Sequence, residues 1–273
     1  MPKSRDSYRP VAGSLDGWTI QRNVISALVY RELKTRVSQV KFGVLGVFLE
    51  PLGVIAVFLL LFSVLRGGRS GNGLDVILFL ASGVVLYTMF VDIALRSLKA
   101  MDANEALFFY RPVKPVDTVI ARSIVESGLY GIVYLVIVAA TFLFREQWVL
   151  QDFSLMVISF VALAFTAFGV GLFLMVAGHR YPLVHQLVPL ITRPLWFVSG
   201  IYFSLYGLPH WLLPWLSWNP IVQAIELNRH AFSSDYLIDG GVVSLPYLLA
   251  CAAISCAFGL WVYSNNERIL LTR

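Results

Sequence analysis

The strongest constraint on this chain is a series of long apolar runs that take up most of its length. They cover residues 44–65, 74–97, 117–143, 154–178, 186–205 and 243–264. A bilayer hydrocarbon core about 30 Å thick is crossed by a helix of about 20 apolar residues. Each run is therefore expected to form one transmembrane helix, six in all. The composition agrees: 58% of residues are hydrophobic and 14% charged, against about 25% charged in a soluble domain. A transmembrane β-barrel would show repeated alternating segments of about ten residues, and the sequence does not. Cys251 and Cys256 both lie inside the last run and read as small apolar residues, not as a disulfide or a metal pair.

Charge sets the expected orientation. With both termini inside, sixteen Lys and Arg residues fall on the inner side, and Arg66, Arg69, Arg145 and Arg229 on the outer. This is a positive-inside bias, and it puts the loop 98–116 in the cytoplasm. Residues 1–21 lack periodicity and read as a disordered cytoplasmic tail, without the apolar core and cleavage site of a signal peptide. Residues 22–42 follow as an amphipathic helix, 43–264 as the transmembrane domain, and 265–273 as a short polar cytoplasmic tail. In the amphipathic segment, Ile25, Val29, Leu33, Val37 and Val40 form a stripe, with Arg31, Lys34, Ser38 and Lys41 on the other side. Such a helix is expected to lie in the membrane interface. The alternative is packing on a partner subunit.

Residues 98–122, LKAMDANEALFFYRPVKPVDTVIAR, interrupt the apolar runs. Met101 to Phe109 can make about two helical turns, with Asp102 and Glu105 near the start, where the helix dipole favours acids. Pro112 and Pro115 then hold the chain extended. A short helix pinned between two spans, with Phe108, Phe109 and Tyr110 grouped at one end, suits a docking knob; an ordinary connecting loop is the plainer reading. On the outer side, residues 206–240 form the longest connection. Pro209, Pro214 and Pro220 cut it into pieces too short to span. Trp211, Trp215 and Trp218 fall at spacings of four and three, which puts three rings on one face at headgroup depth. After Asn219-Pro220 a second short helix is expected over 221–233. Backbone of this kind at membrane depth must be buried in protein or line a wet cavity.

No catalytic constellation is present. There is no G-x-x-x-x-G-K-[ST] loop for a nucleotide, and GGRSGNG at 67–73 reads as an external hairpin. His179, His185, His210 and His230 are divided between the two sides without metal-ligand spacing. Ionisable groups inside apolar runs carry more information, since a charge at bilayer depth costs about 2.5–3.5 kcal/mol or more. Asp92 and Arg96 are four apart and read as a local pair. Arg193 lacks a neighbour of opposite charge, so it is expected either to bridge to Glu50 or Glu126 or to face a polar pathway. Aromatic rings crowd two runs: Phe48, Phe58 and Phe62 in the first, Trp196, Phe197, Tyr202, Phe203 and Tyr206 in the fifth. Rings stack on sugar faces without strong fixed hydrogen bonds, so some of these residues can line a channel; membrane-belt and core packing account for the rest.

Several of these stretches resemble one family. ANEALFFYRPVKPVDTVIAR is similar to the cytoplasmic loop of KpsM-type permeases, the membrane subunits of ABC transporters that export capsular polysaccharide. RELKTRVSQVKFGVLGVFLEPL resembles the basic segment and first span of the same permeases and of the related O-antigen permease Wzm. The NP…E..R run (Asn219, Pro220, Glu226, Arg229) resembles their re-entrant external region. The resemblance implies an all-α integral membrane fold with six transmembrane helices, an N-terminal interfacial helix, a cytoplasmic coupling helix and short re-entrant external helices.

It also implies a division of labour. Asp102, Asn104, Glu105, Phe108, Phe109, Tyr110 and Arg111 would meet a separate KpsT-like ATPase, which would hold ATP and magnesium; this chain would bind no cofactor. The first and fifth spans would wall a channel at a homodimer interface, with Phe48, Phe58, Phe62, Arg193, Trp196, Phe197, Tyr202 and Phe203 as candidates for its lining. Arg31, Lys34, Arg36 and Lys41 would form an entrance collecting anionic headgroups at the inner leaflet. The implied cargo is a lipid-linked acidic polysaccharide, with a periplasmic KpsE-like protein and an outer-membrane exporter as further partners and no nucleic acid. The implied location is the bacterial inner membrane. The alternatives are an ABC permease for O-antigen, lipid or drug, and an ion-coupled secondary transporter. The latter would need inverted repeats and a midplane acid.

Overall fold

The structure is a computed structural model, and it describes residues 17–39, 46, 49, 52–58, 60–61, 74–108, 113–145, 150–233, 236 and 242–271. The expected tail before residue 17, the 67–73 hairpin, Lys41, Glu50, Phe48, Phe62, Phe109, Tyr110 and Arg111 lie outside the described residues. Helix α1 covers Gly17–Gln39. The helical residues 52–58 and 60–61 belong to α2. Helix α3 is Val76–Leu98, α4 is Ala100–Asn104 with a 3₁₀ turn over Glu105–Leu107, and α5 is Pro115–Arg145. Then come α6 (Phe153–Arg180), α7 (Val184–Val198), α8 (Leu213–Ser217), α9 (Pro220–Phe232) and α10 (Leu245–Leu271).

Among the described residues, four helices are long and apolar enough to cross a membrane: Val76–Leu98, Pro115–Leu143, Phe153–Arg180 and Leu245–Leu270. These correspond to the second, third, fourth and sixth expected spans. The first lies largely outside the described residues. The fifth differs: α7 has 15 residues and carries Pro189 and Pro194 inside it. At 1.5 Å per residue it is about 22 Å long, short of the core thickness. It stops at Ser199 and Gly200, the latter at φ +73°, a conformation glycine adopts without a Cβ penalty. Residues 199–212 follow as turns.

Helix α3 is the centre of the bundle. It is apolar around its circumference up to Val91, as a largely enclosed helix must be, and Leu78, Leu80, Val84, Val85, Leu86, Met89 and Ile93 are buried. Helices α5, α6, α7 and α9 pack around it. Its start is fixed by Asp75, whose Oδ1 accepts the Ile77 amide at 2.8 Å; Asp152 caps α6 in the same way through Leu155 N at 2.9 Å. Helices α6 and α10 meet at backbone distance: a Cβ on Gly259 would lie 2.4 Å from the Gly169 carbonyl oxygen. Small residues at such a crossing are what close packing in a membrane requires. Helix α10 does not end where the polar tail was expected. It continues through 265–271, because Leu270 is buried beside Met101 and Tyr263, and Glu267 pairs with Lys114 at 3.3 Å.

Candidate functional site

At the end of the bundle where α3 runs into α4, α1 is bound by ions rather than lying on its own. Glu32 and Arg36, four residues apart on α1, point at α3 and α5. Arg36 Nη2 lies 2.8 Å from Asp92 Oδ2, and its Nε 3.4 Å from Glu126 Oε1. Arg96 Nε meets the same Glu126 oxygen at 2.9 Å, and Arg96 Nη1 faces Glu32 Oε1 at 3.7 Å. Arg122 Nε is 3.3 Å from Glu32 Oε1, and its Nη1 donates to the Arg96 carbonyl. The Tyr130 hydroxyl donates to Asp92 Oδ2 at 2.8 Å. Three guanidiniums thus alternate with three carboxylates across three helices, and the charges cancel.

This corrects two expectations. Asp92 and Arg96 do not serve each other, since each has a better-placed partner on another helix. Glu126 is taken by Arg36 and Arg96, so it is not the partner of Arg193. The network also explains why α1 packs on α5 of its own chain: Leu28 is buried, and Val29 meets Val125 and Leu129. Gln21 donates to Asp117 Oδ1, which ties the start of α1 to the start of α5. Asp117 itself holds the Lys114 amide at 2.9 Å.

The coupling candidates sit at this same end. Asp102 and Glu105 are exposed. Asn104 is buried; its Nδ2 donates to the Ala100 carbonyl at 2.8 Å and its Oδ1 accepts from Arg31. Phe108 packs against the cluster of Ala100, Met101 and Val119. Of the entrance candidates, Arg31 and Arg36 therefore point into the protein, whereas Lys34 is exposed. His185, at the start of α7, lies 3.9 Å from Asp102, which places α7 next to α4.

The connection after α7 folds back into the bundle. Asn219 Oδ1 accepts the Ile221 amide at 3.0 Å and Pro220 takes the first helical position, so α9 starts where the sequence indicated. Nearly every α9 residue is buried. Arg229 is wholly enclosed, donating to the carbonyls of Phe203 (3.0 Å), Ile201 (2.9 Å) and Phe79 (3.2 Å) and to Glu226 Oε1 (2.9 Å). Its guanidinium also lies over the Phe79 ring, 3.5 Å from the centroid. Glu226 Oε2 accepts from Tyr236 at 3.0 Å. Gly83 leaves the room: a Cβ there would lie 3.0 Å from Ile201 Cα and 3.3 Å from Arg229 Nη2. Asn228 completes the anchorage, donating to Ser159 Oγ at 2.9 Å and accepting from Tyr134. By contrast Trp211, Trp215 and Trp218 are 69%, 81% and 79% exposed.

Helix α7 has no buried residue. Around its end, Phe58 lies 4.2 Å from Tyr202 between ring centroids, Tyr87 stands edge-on to Trp196 at 4.8 Å, and Phe197 reaches Tyr202 at 6.2 Å. Trp196 Nε1 donates to the Tyr202 hydroxyl. Phe203 is half-buried and gives its carbonyl to Arg229. Arg193 is exposed on α7 and makes no ion pair among the described residues. Also among them, no group of three or more His, Cys, Asp or Glu is placed to hold a metal ion.

Residues 23–233 match the family model of the ABC-2 type transporter. The chain belongs to the ABC-2 type transporter family. It is 33% identical over 256 residues to the polysialic acid transport protein KpsM of Escherichia coli, a span covering 94% of this chain and 98% of that one. It is 28% identical over 253 residues to the capsule polysaccharide export inner-membrane protein CtrC of Neisseria meningitidis serogroup B, covering 91% and 93%. The inner-membrane protein BexB of Haemophilus influenzae, also named for capsule polysaccharide export, is 25% identical over 249 residues, again covering 91% and 93%.

Within this ABC-2 type chain, the residues that sequence reading missed are the ones whose partners lie far along the chain. Glu32 was hidden in a helix read as interfacial; its spacing of four from Arg36 was the available signal. Tyr130, Asn228 and Gln223 sit in runs that read as apolar or as plain connection. Gln223 donates to the carbonyls of Ser217 and Val242, both at 2.8 Å, and so closes the loops on either side of α9.

Proposed function

We propose that this chain is the membrane-spanning subunit of an ATP-driven exporter that moves a lipid-linked capsular polysaccharide across the inner membrane. Two copies would form the channel, and a separate KpsT-like ATPase would supply hydrolysis, with ATP and magnesium bound there and no catalysis by this chain. The reading places both termini in the cytoplasm, and it takes a periplasmic KpsE-like protein and an outer-membrane exporter as later partners. The named relatives, matched over nearly their full lengths, support the cargo.

The observation that carries the geometric side is α7. A helix without a buried residue, bearing an exposed Arg193, cannot turn that face to hydrocarbon, where the cation would cost several kcal/mol. A water-filled pathway between two copies accommodates it, and Phe58, Trp196, Phe197 and Tyr202 offer rings along which a glycan can slide. Closure of the ATPase dimer would press on Asp102, Glu105 and the residues up to Arg111. Asn104 passes that load to α1 through Arg31, and Phe108 passes it to the α5 and α6 ends. The test is deletion in the native host with complementation by parent or Arg193→Ala. The expected result is loss of surface capsule with lipid-linked glycan accumulating inside, restored by the parent and reduced at least about tenfold for Arg193→Ala, the order expected for loss of one charge-assisted contact. Capsule unchanged by the deletion would overturn the proposal.

A further inference from the structure

A cavity of about 440 Å³ opens between α1, the end of α3, α4 and the start of α5. Its walls carry Arg31, Arg96, Lys99 and Arg122 against one carboxylate, Glu32, together with the hydroxyl of Thr35 and the amide of Asn104. The ion network accounts for part of this charge only. Glu32 Oε1 is shared by Arg96 and Arg122. Asp92 and Glu126, the other carboxylates of the network, are directed at Arg36 and at the far side of Arg96. Arg31 has a neutral partner, Asn104, and Lys99 is exposed at the rim with no ion pair among the described residues. The carbonyls at the end of α3 attract cations, but Arg122 Nη1 already answers that of Arg96. Arg122 is itself buried, and its Nε, though 3.3 Å from Glu32, makes no hydrogen bond. The cavity thus holds several guanidinium and ammonium donors in excess of its acceptors, with Glu32, Asn104 and Arg122 buried at its floor and Lys99 open at its rim.

We propose that this cavity binds a phosphoryl group, with Arg31, Lys99 and Arg122 as its donors. Guanidinium forks match phosphate oxygens in pairs, and charge-assisted bonds of this type are stronger than neutral ones. The group can come from an anionic lipid headgroup or from a soluble phosphate. The lipid source follows from the proposed orientation, which sets α1 at the inner leaflet, where anionic lipids concentrate. Because three walls belong to α1, α4 and α5, an occupant would bridge the coupling segment to the helix that α1 packs on.

The test uses the full-length chain in nanodiscs of phosphatidylcholine, titrated with a fluorescent phosphatidic acid, with inorganic phosphate as a competitor. It needs neither an ATPase nor a glycan, so it can fail while the export reading stands. Saturable binding is expected, weakened about tenfold by Arg31→Gln and by Lys99→Ala, the size of one charge-assisted hydrogen bond. Arg31→Lys should retain part of it. Arg22→Ala and Arg180→Ala, exposed basic positions outside the cavity, should leave it unchanged. Competition by inorganic phosphate at concentrations comparable to the lipid would support the phosphoryl site and assign it to a soluble source; no competition supports the headgroup. Equal weakening by all four charge-removing substitutions, or binding that does not saturate, would reduce the effect to diffuse surface charge and overturn the proposal. Circular dichroism and gel filtration of each variant report whether it is folded.

Discussion

Arg229 offers the sharpest stability prediction. Replacing it with methionine keeps much of its volume but removes one cation and every bond it donates. Three backbone carbonyls, of Phe79, Ile201 and Phe203, lose their guanidinium partner together with Glu226 Oε1. Breaking a buried ion pair by deleting one member costs about 3–5 kcal/mol, because the remaining charge is stranded. Each orphaned carbonyl adds about 1–3 kcal/mol before relaxation or water entry reduces it. The terms do not add simply, so about 4 kcal/mol is the working figure for Arg229→Met. Glu226→Gln also strands a charge but leaves Arg229 on its three carbonyls, so its cost should fall at the lower end of the ion-pair range, about 3 kcal/mol. The double variant should cost less than the sum of the singles by more than about 1 kcal/mol, since its members touch. Equilibrium unfolding in mixed micelles, followed by helical circular dichroism, measures all three. An Arg229→Met variant within about 0.5 kcal/mol of the parent, or strict additivity in the double variant, would refute the claim that this guanidinium pins α9 to α3.

Other outcomes follow from neighbouring contacts. Gly169→Ala would drive a Cβ to 2.3 Å from the backbone of Ser255; a loss of about 1–3 kcal/mol or more is expected from forced separation of α6 and α10, measured by the same unfolding assay. Glu32→Gln removes the carboxylate shared by Arg96 and Arg122 and should loosen α1. Trypsin should then cut α1 about tenfold faster, equivalent to about 1.4 kcal/mol of local opening, and an unchanged rate would count against the ionic clamp. Trp215→Ala, at an exposed position on α8, should shift stability by less than about 0.5 kcal/mol, so a large shift would mean that the ring is enclosed by something besides α8 and its neighbours.

The sequence made the long spans legible because hydrocarbon thickness is a simple length constraint. The helices α3, α5, α6 and α10 stand where the apolar runs were, with ends shifted by caps such as Asp75 and Asp152. The start of α9 was legible for a local reason, the Asn219-Pro220 cap. What could not be read was pairing across the chain. Asp92 and Arg96 looked like a couple because spacing shows only neighbours on one helix; Arg36 and Glu126 compete for them from other helices and sit closer. The α7 prolines were visible, yet their effect on span length depends on where the chain turns at Ser199 and Gly200. In the segment after α3, the exposed acids Asp102 and Glu105 could be foreseen from helix position. The buried amide of Asn104, held by Arg31, could not, because its partner lies 73 residues away.

In the proposed mechanism an ATPase drives this chain through the segment after α3. The decisive experiment is ATP hydrolysis and glycan export by this chain co-expressed with a KpsT-like ATPase and reconstituted in vesicles, with Glu105 and Tyr110 intact or replaced by alanine. The subunits are expected to co-purify, and Glu105→Ala and Tyr110→Ala to leave hydrolysis running while export drops at least about tenfold, an energetic loss of about 1.4 kcal/mol in coupling. Absence of any ATPase from the purified chain, with export undiminished by both substitutions, would contradict it.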